Sequence, residues 1–510
     1  MCTGVYVGKK VSANGHTIIA RSADTWQRRD SMTAFFSYPR KNNNNKYVVT
    51  PETKFKYKLP KTTYRWNALP VIPSARGPMS DAAANEYGLA VTSTITGATS
   101  DKILALDPWT ENGICEPVIN NILGPTCKTA RECVDLIEKL MNKFGSNYAE
   151  IILAADQKEA WIIELYSGHQ WAAMKMPEDK MSVFGNCFKI QTEYDGLSED
   201  EFRHSKDLFT LPESKKLGVY KNGKLSLAET YEGKGELSEY DTVREYFGWK
   251  FFCPSIKDKY KVRKYDLFFK PEKKVKLKDI FDLYRHRYEG SKFCPEENDG
   301  IEKTRLIGTE VTYSIQALEI IENLPSEMAI VMWTCVSNSE HSLFLPYLNL
   351  VTDYAKGFKY EKRFDTLTKK SPRDPEGKPI KYDESIAALC FKRLCAVAQD
   401  DRKLYSHGIR KHWSKVESEQ IANYPKVIDK TYKLYKKDKK SAIKYINKYT
   451  IDMQSNVLAE AKSIFDELVW YISSHVETLK YVRDSKTHKL RRNDPKPFQP
   501  TLCYKEKYLN

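Results

Sequence analysis

A cysteine directly after the initiator methionine, at the head of a hairpin, constrains this chain more than any other feature. The opening reads MCTGVYVGKKVSANGHTIIARSAD. Val5 to Gly8 is a short apolar strand, Asn14-Gly15 is a strong turn signal, and Thr17 to Ala20 returns as a second strand. The return delivers Arg21 and Asp24 back towards the strand that carries Cys2. Removal of Met1 would leave Cys2 with a thiol and a free α-amino group on one residue. An α-amino group titrates at about 7.7–8.0, so it can serve as general base for its own side chain. Arg21 and Asp24 are then placed to orient that terminus and set its protonation. A strand cysteine taken alone reads equally as a packing residue, so the hairpin and its charged pair carry the functional reading.

Along the chain, residues 30–80 are polar and read as loops and short strands bordering a cleft. In DAAANEYGLAVTSTITG, Asn85 and Gly88 sit in a turn and Leu89 to Thr94 alternates as a strand. Thr129 to Phe144 is an amphipathic helix: Thr129 caps it, Cys133, Val134, Ile137, Leu140, Met141 and Phe144 form one stripe, and Gly145 ends it. That stripe puts Cys133 in a core. Ile151–Ala155, Ala160–Tyr166, Trp171–Met176 and Ser182–Phe184 read as a β-meander, ending in GNCFKI. Asn186 therefore follows a strand end, where an Asn usually serves a turn or cap. MAIVMWTCVSNSEHSLFLPYL reads as two strands joined by a turn at Ser337-Asn338-Ser339. From about Glu384 the pattern is helical, with a stripe through Val457, Ala461, Ile464, Leu468 and Ile472. Pro425 is expected to interrupt the preceding helical stretch. Lys433, Lys436, Lys437, Lys439 and Lys440 read as a solvated face, and the basic tail after Lys486 as loosely held.

Composition narrows the class. The chain has 510 residues, 41% hydrophobic and 29% charged, which fits a large globular core. No run approaches 18 apolar residues, and the start lacks a basic and apolar leader, so neither a membrane span nor a signal peptide is expected. Eleven cysteines, an odd number without C-x-x-C, favour reduced thiols in a cytoplasm. The net charge of +15 is spread over lysines along the whole chain, so it reads as a solvated surface and no nucleic-acid partner is expected. Walker A, G-x-G-x-x-G, H-E-x-x-H and EF-hand patterns are absent from the sequence. No metal and no cofactor are expected. A homo-oligomer is left open.

The MCTG and ARSAD opening, the ANEYGLA segment and the GNCFKI strand end together resemble the N-terminal-nucleophile (Ntn) cysteine dipeptidases, the PepD-like and secernin-related family. The opening is more distantly similar to choloylglycine hydrolases and penicillin V acylases. The resemblance runs from Cys2 to about residue 350. It implies an α+β fold, the Ntn-hydrolase αββα four-layer sandwich, over residues 1–350, with a mainly helical C-terminal extension at 351–510 packed on it. It further implies that Cys2 is the nucleophile and that Asn186 and a backbone N–H near Thr94 to Thr96 hold the oxyanion. Asn85, like Thr94 and Thr96, is placed beside the nucleophile as a substrate-binding residue. Arg263 best matches the family's site arginine, with Arg305 the runner-up for a substrate contact. The segment Arg285-His286-Arg287-Tyr288-Glu289-Gly290 departs by one residue from the family order, leaving His286 without an assigned role. The implied activity is hydrolysis of the peptide bond of short peptides. A non-peptide amide acylase, or a secernin-like regulatory protein with weak or no hydrolase activity, are the alternatives.

Overall fold

A computed structural model describes residues 2–24, 31–72, 79–232, 237–298, 304–361, 383–475, 481–483, 485–488, 490–492 and 495–503. Two antiparallel sheets form its centre. The first runs, edge to edge, Met181–Phe184, Gly4–Val7, Thr17–Asp24, Thr312–Ile320, Ile330–Val336 and Phe344–Leu348. The second runs Phe202–His204, Trp171–Lys175, Ala160–Leu165, Glu150–Ala155, Ala90–Ile95, Ser80–Asn85, Trp66–Ile72 and Met32–Thr33, with Phe36–Tyr38 also paired to Trp66–Ile72. The Thr17–Asp24 strand faces Ala90–Ile95 and Glu150–Ala155 across the gap between the sheets.

The strand Glu150–Ala155 shows why the sheets stack. Successive side chains point to opposite faces. Ile151, Leu153 and Ala155 enter the core between the sheets, while Ile152 and Ala154 join the cluster under the helices Glu116–Thr126 and Ala130–Phe144. Both faces are covered, so the strand is buried throughout. Each fully buried Ile or Leu contributes about 1.5–3 kcal/mol. On the other side, Glu239–Phe252, Ala387–Ala398 and Arg402–Lys437 pack against the first sheet. The order is helix, sheet, sheet, helix, an α+β sandwich in four layers.

Several expectations meet the structure closely. The predicted hairpin forms with Gly4 opposite Arg21. The helix predicted from Thr129 spans Ala130–Phe144; Thr129 caps it by accepting from Glu132 N, and Gly145 ends it at φ +69°. Others need correction. The fourth strand of the expected meander, Met181–Phe184, leaves the second sheet and pairs with Gly4–Val7 in the first. Pro425 lies inside one helix, Arg402–Lys437, because it faces solvent there while Tyr424 and Val427 face the core. On that face the carbonyl freed by the missing N–H can turn to water. The expected helix at 456–474 is longer, Lys439–His475. Among the described residues of the tail, 495–503 are held: Phe498 is buried, its N–H donates to Leu404 O at 2.8 Å, and Glu467 accepts from Thr501 N at 2.6 Å and Cys503 N at 2.8 Å.

The C-terminal helices also close the first sheet. Its last strand, Phe344–Leu348, directs the N–H groups of Phe344 and Leu348 away from the sheet, and the residue between them on that side is Pro346, which has none. Phe344 N donates to Glu417 Oε1 at 2.9 Å and Leu348 N to Tyr424 Oη at 2.9 Å. Glu417, fully buried, also takes Arg285 as an ion-pair partner, with Nη1 to Oε2 at 2.9 Å and Nη2 to Oε1 at 2.5 Å. An edge strand left open is a template for unwanted pairing.

Candidate active site

The hairpin register sets the site. Pairing Gly4 with Arg21 brings the Arg21 side chain under Cys2, and Thr3 N and O extend the ladder to Ser22 Oγ and Ser22 N, both at 3.0 Å. Arg21 Nη2 donates to Cys2 Sγ at 3.1 Å and to Glu116 Oε1 at 2.9 Å. Its Nη1 donates to Asp81 O at 3.3 Å and Asp81 Oδ1 at 3.4 Å. All four residues are buried. One guanidinium thus bridges a thiol and two carboxylates. Burial acts to lower the Arg21 pKa, but the neighbouring Cys2, Glu116 and Asp81 outweigh it and hold the value well above the ordinary one. Burial pushes Asp81 up to about 6 from 3.8, against the pull of Arg21.

The Cys2 backbone is held as firmly. Cys2 N donates to Asn186 Oδ1 at 2.9 Å. Asn186 Nδ2 donates to Ile95 O at 2.6 Å, so one of its two hydrogens is used and the other is available to a bound group. Arg244 Nη1 donates to Cys2 O at 2.5 Å and to Asn186 Oδ1 at 3.0 Å, while its Nη2 donates to Asp241 Oδ1 at 2.8 Å. Tyr284 Oη donates to Thr3 O at 3.2 Å. Asp24 accepts from Thr312 Oγ1 at 2.6 Å, from Arg305 Nη2 at 2.5 Å and from Ser22 Oγ at 3.3 Å. Asp24 and Arg305 therefore form a buried pair behind the hairpin, one hydroxyl away from the Thr3 amide.

The structure brings Cys2, Arg21, Asp24, Asn186 and Arg305 into one connected network. It leaves Arg263 outside that network. Its side chain is 46% exposed, faces Asp258 at 3.6 Å and lies over the Tyr265 ring. The arginine on the Cys2 backbone is Arg244 instead, brought there by the helix Glu239–Phe252 against the Met181–Phe184 strand. Asn85 is also committed elsewhere. Its amide donates to Gly124 O and Cys127 O, both at 2.7 Å, and accepts from Tyr87 N at 2.9 Å, clasping its turn to the end of the Glu116–Thr126 helix. Thr94 and Thr96 are buried beside Ile95, and the Thr96 N–H is occupied by Ala149 O at 3.0 Å. His286 packs against Phe247, Phe251 and Tyr288, with burial lowering its pKa.

Arg244, Asp81 and Glu116 were not anticipated. Glu116 had a visible signal: a carboxylate set between Cys115 and Pro117 at the head of an apolar helix. Among the described residues no group of three His, Cys, Asp or Glu side chains is arranged to hold a metal ion. No helix among them is long and apolar enough to cross a membrane.

The site is thus a buried thiol just ahead of the first strand, with Arg21 on its sulfur and Arg244 on the Cys2 carbonyl, in a fold of two stacked sheets. The chain belongs to peptidase family C69, whose model matches residues 1–372. It is 25% identical over 484 residues to a probable dipeptidase B of Streptococcus pyogenes serotype M1, covering 92% of each chain. It is 26% identical over 367 residues to a probable dipeptidase B of Lactococcus lactis subsp. lactis, covering 69% of this chain and 75% of that one. Among solved structures it is similar to a penicillin V acylase from Agrobacterium tumefaciens, with 13% identity, a TM-score of 0.32, and 68% and 86% of the two chains covered. A mutant conjugated bile acid hydrolase from Clostridium perfringens gives 12% identity, a TM-score of 0.31, and 68% and 92% coverage.

Proposed function

We propose that this peptidase is a dipeptidase whose nucleophile is Cys2, exposed as the chain's first residue by removal of Met1. The observation that carries this reading is the double hold on one residue: Arg21 Nη2 lies 3.1 Å from Cys2 Sγ while Cys2 N lies 2.9 Å from Asn186 Oδ1. Once Met1 is gone, that nitrogen is an amine and accepts the thiol proton. The thiolate, flanked by Arg21, attacks the scissile carbonyl. The resulting oxyanion takes the second hydrogen of Asn186 Nδ2. The α-ammonium returns the proton to the leaving amine, and water then hydrolyses the thioester. Arg244 and the Asp24–Arg305 pair fix the hairpin that carries these groups. The similarity to curated dipeptidases over nearly the whole chain supports the substrate class. Eleven free thiols support a reducing cytoplasm as the place of action.

The test is hydrolysis of a dipeptide panel by the purified chain, with intact-mass analysis of its N-terminus. Activity is expected on a chain beginning at Cys2 and is expected to vanish in Cys2→Ala. Full activity with Met1 retained would exclude the amine as base. Turnover of penicillin V or bile-acid amides without turnover of peptides would replace the substrate class.

A further inference from the structure

Asp81 stands out among the buried groups around the nucleophile. It lies in the Ser80–Asn85 strand, at a point where the pairing with Trp66–Ile72 slips between Ser80 and Ala83. Such irregularities re-aim side chains. Its Oδ1 accepts from Tyr313 Oη at 3.0 Å and from Arg21 Nη1 at 3.4 Å. Its Oδ2 is fully buried and has no hydrogen-bond donor. An unmet carboxylate oxygen in a dry site is costly unless a donor arrives. Arg21 carries one positive charge and contacts two carboxylates, Asp81 and Glu116, besides the thiol.

The distance to the chemistry fits a particular cation. Cys2 Sγ and Asp81 Oδ1 bind the two ends of the same guanidinium, at 3.1 Å and 3.4 Å. In a near-attack geometry the scissile carbonyl carbon sits about 3–3.5 Å from sulfur. The α-nitrogen of the residue bearing that carbonyl is two bonds further on, each about 1.5 Å. A substrate whose first residue is cleaved off therefore carries its ammonium within the span of one arginine from the nucleophile. We infer that Asp81 is the anchor for the free α-ammonium of the substrate, with Oδ2 as acceptor and Glu116 adding to the field. This rests on the dipeptidase reading and deepens it: it makes the free amino end the feature by which the enzyme counts residues. Asp24, the acceptor that the hairpin alone would suggest, is occupied by Arg305, Thr312 and Ser22. Burial holds Asp81 up to about 6, so the carboxylate is ionised at neutral pH and above.

The experiment compares a panel of dipeptides with their N-acetyl counterparts on the native chain and on Asp81→Asn. Hydrolysis is read as kcat/KM, binding is read by calorimetry on the Cys2→Ala background, and Cys2 reactivity is read as the rate of alkylation by iodoacetamide. The native chain is expected to prefer the free amine by about 100-fold, the worth of a charge-assisted bond. Asp81→Asn should erase most of that preference, through KM and through binding, and leave alkylation within a few-fold. Asp81→Ser, smaller and still polar, carries the same expectation should the Asn variant not fold. A preference retained in these variants overturns the assignment, as does a native chain indifferent to acetylation. An equal loss on free and acetylated substrates, together with slowed alkylation, would make Asp81 only a positioning residue for Arg21. If no dipeptide is hydrolysed but the Cys2→Ala chain still binds free-amine peptides through Asp81, the dipeptidase reading fails and the ammonium site stands.

Discussion

Replacing Arg21 by methionine tests the centre of the site, because two consequences follow with different signatures. The guanidinium is buried and contacts Cys2 Sγ at 3.1 Å, Glu116 Oε1 at 2.9 Å and Asp81 Oδ1 at 3.4 Å. Methionine keeps much of the volume and supplies no charge. The first consequence is on reactivity. A hydrogen bond to a charged group contributes about 1.5–3 kcal/mol, so alkylation of Cys2 and kcat should both fall by about 10–150-fold. The second is on stability. Two buried carboxylates lose their common counter-charge, which typically costs about 3–5 kcal/mol. That cost depends on pH in a direction the structure sets. Asp81 already titrates at about 6 in the folded chain against 3.8 ordinarily, and loss of Arg21 moves it further up. A carboxylate with a raised folded pKa costs stability above that value and costs nothing below its unfolded value. The variant's deficit should therefore be largest near pH 8 and shrink towards pH 5, as Asp81 takes up a proton and stops repelling Glu116. Thermal unfolding of both chains across that range, with iodoacetamide kinetics, measures both arms. A deficit that grows towards acid, or alkylation unchanged within two-fold, refutes the assignment of Arg21 to both thiol and acid pair.

Three further outcomes are expected. Arg244→Ala should lower kcat/KM by at least about 100-fold, since it frees both Cys2 O and Asn186 Oδ1, whereas Arg263→Ala should change it less than about three-fold; steady-state kinetics on the pair decides between the two arginines. Glu164, fully buried, is raised to about 7 from 4.5, so it destabilises the fold progressively between those values as pH rises; the stability of Glu164→Gln should fall less over that range by about 3 kcal/mol, read from unfolding midpoints, and parallel curves would contradict this. Glu417→Ala should destabilise by about 3–5 kcal/mol, because Arg285 and Phe344 N both lose their acceptor, and light scattering should show earlier aggregation on heating.

Local chemistry made part of this architecture readable in advance. The two apolar runs either side of Asn14-Gly15 marked the hairpin in which Arg21 and Cys2 meet, although the strands pair Val7 with Ile18 across a longer connection than that turn. The Thr129 cap and the stripe after it fixed one helix to the residue. What stayed hidden depends on contacts between distant segments. Cys2 N meets Asn186 across 184 positions, and the bond from Arg244 Nη1 to Cys2 O spans 242. Arg244 sits on a helix whose buried residues run without a break from Thr242 to Gly248, so no polar face set it apart from a surface arginine. Arg263, in a basic stretch with aromatic neighbours, looked more like a site residue and proved to be half exposed. Asp81 is a single acid before a run of alanines, and only the packing of Thr312–Ile320 and the hairpin around it buries it and leaves its Oδ2 without a donor.

The closure of the first sheet by the C-terminal helices has a consequence in time. The donors of Phe344 and Leu348 are met by side chains 73 and 76 positions further along the chain. At synthesis rates of about 5–20 residues per second, the strand waits roughly 4–15 s on the ribosome before Glu417 and Tyr424 exist. During that interval the sheet can already pair its other strands, and its last edge is open to any extended segment nearby. A chain released before Glu417 would hold every residue of the Cys2 network and still carry that open edge. Loss of the helices would then be seen first as self-association of newly made chains, before any fault in the chemistry of Cys2.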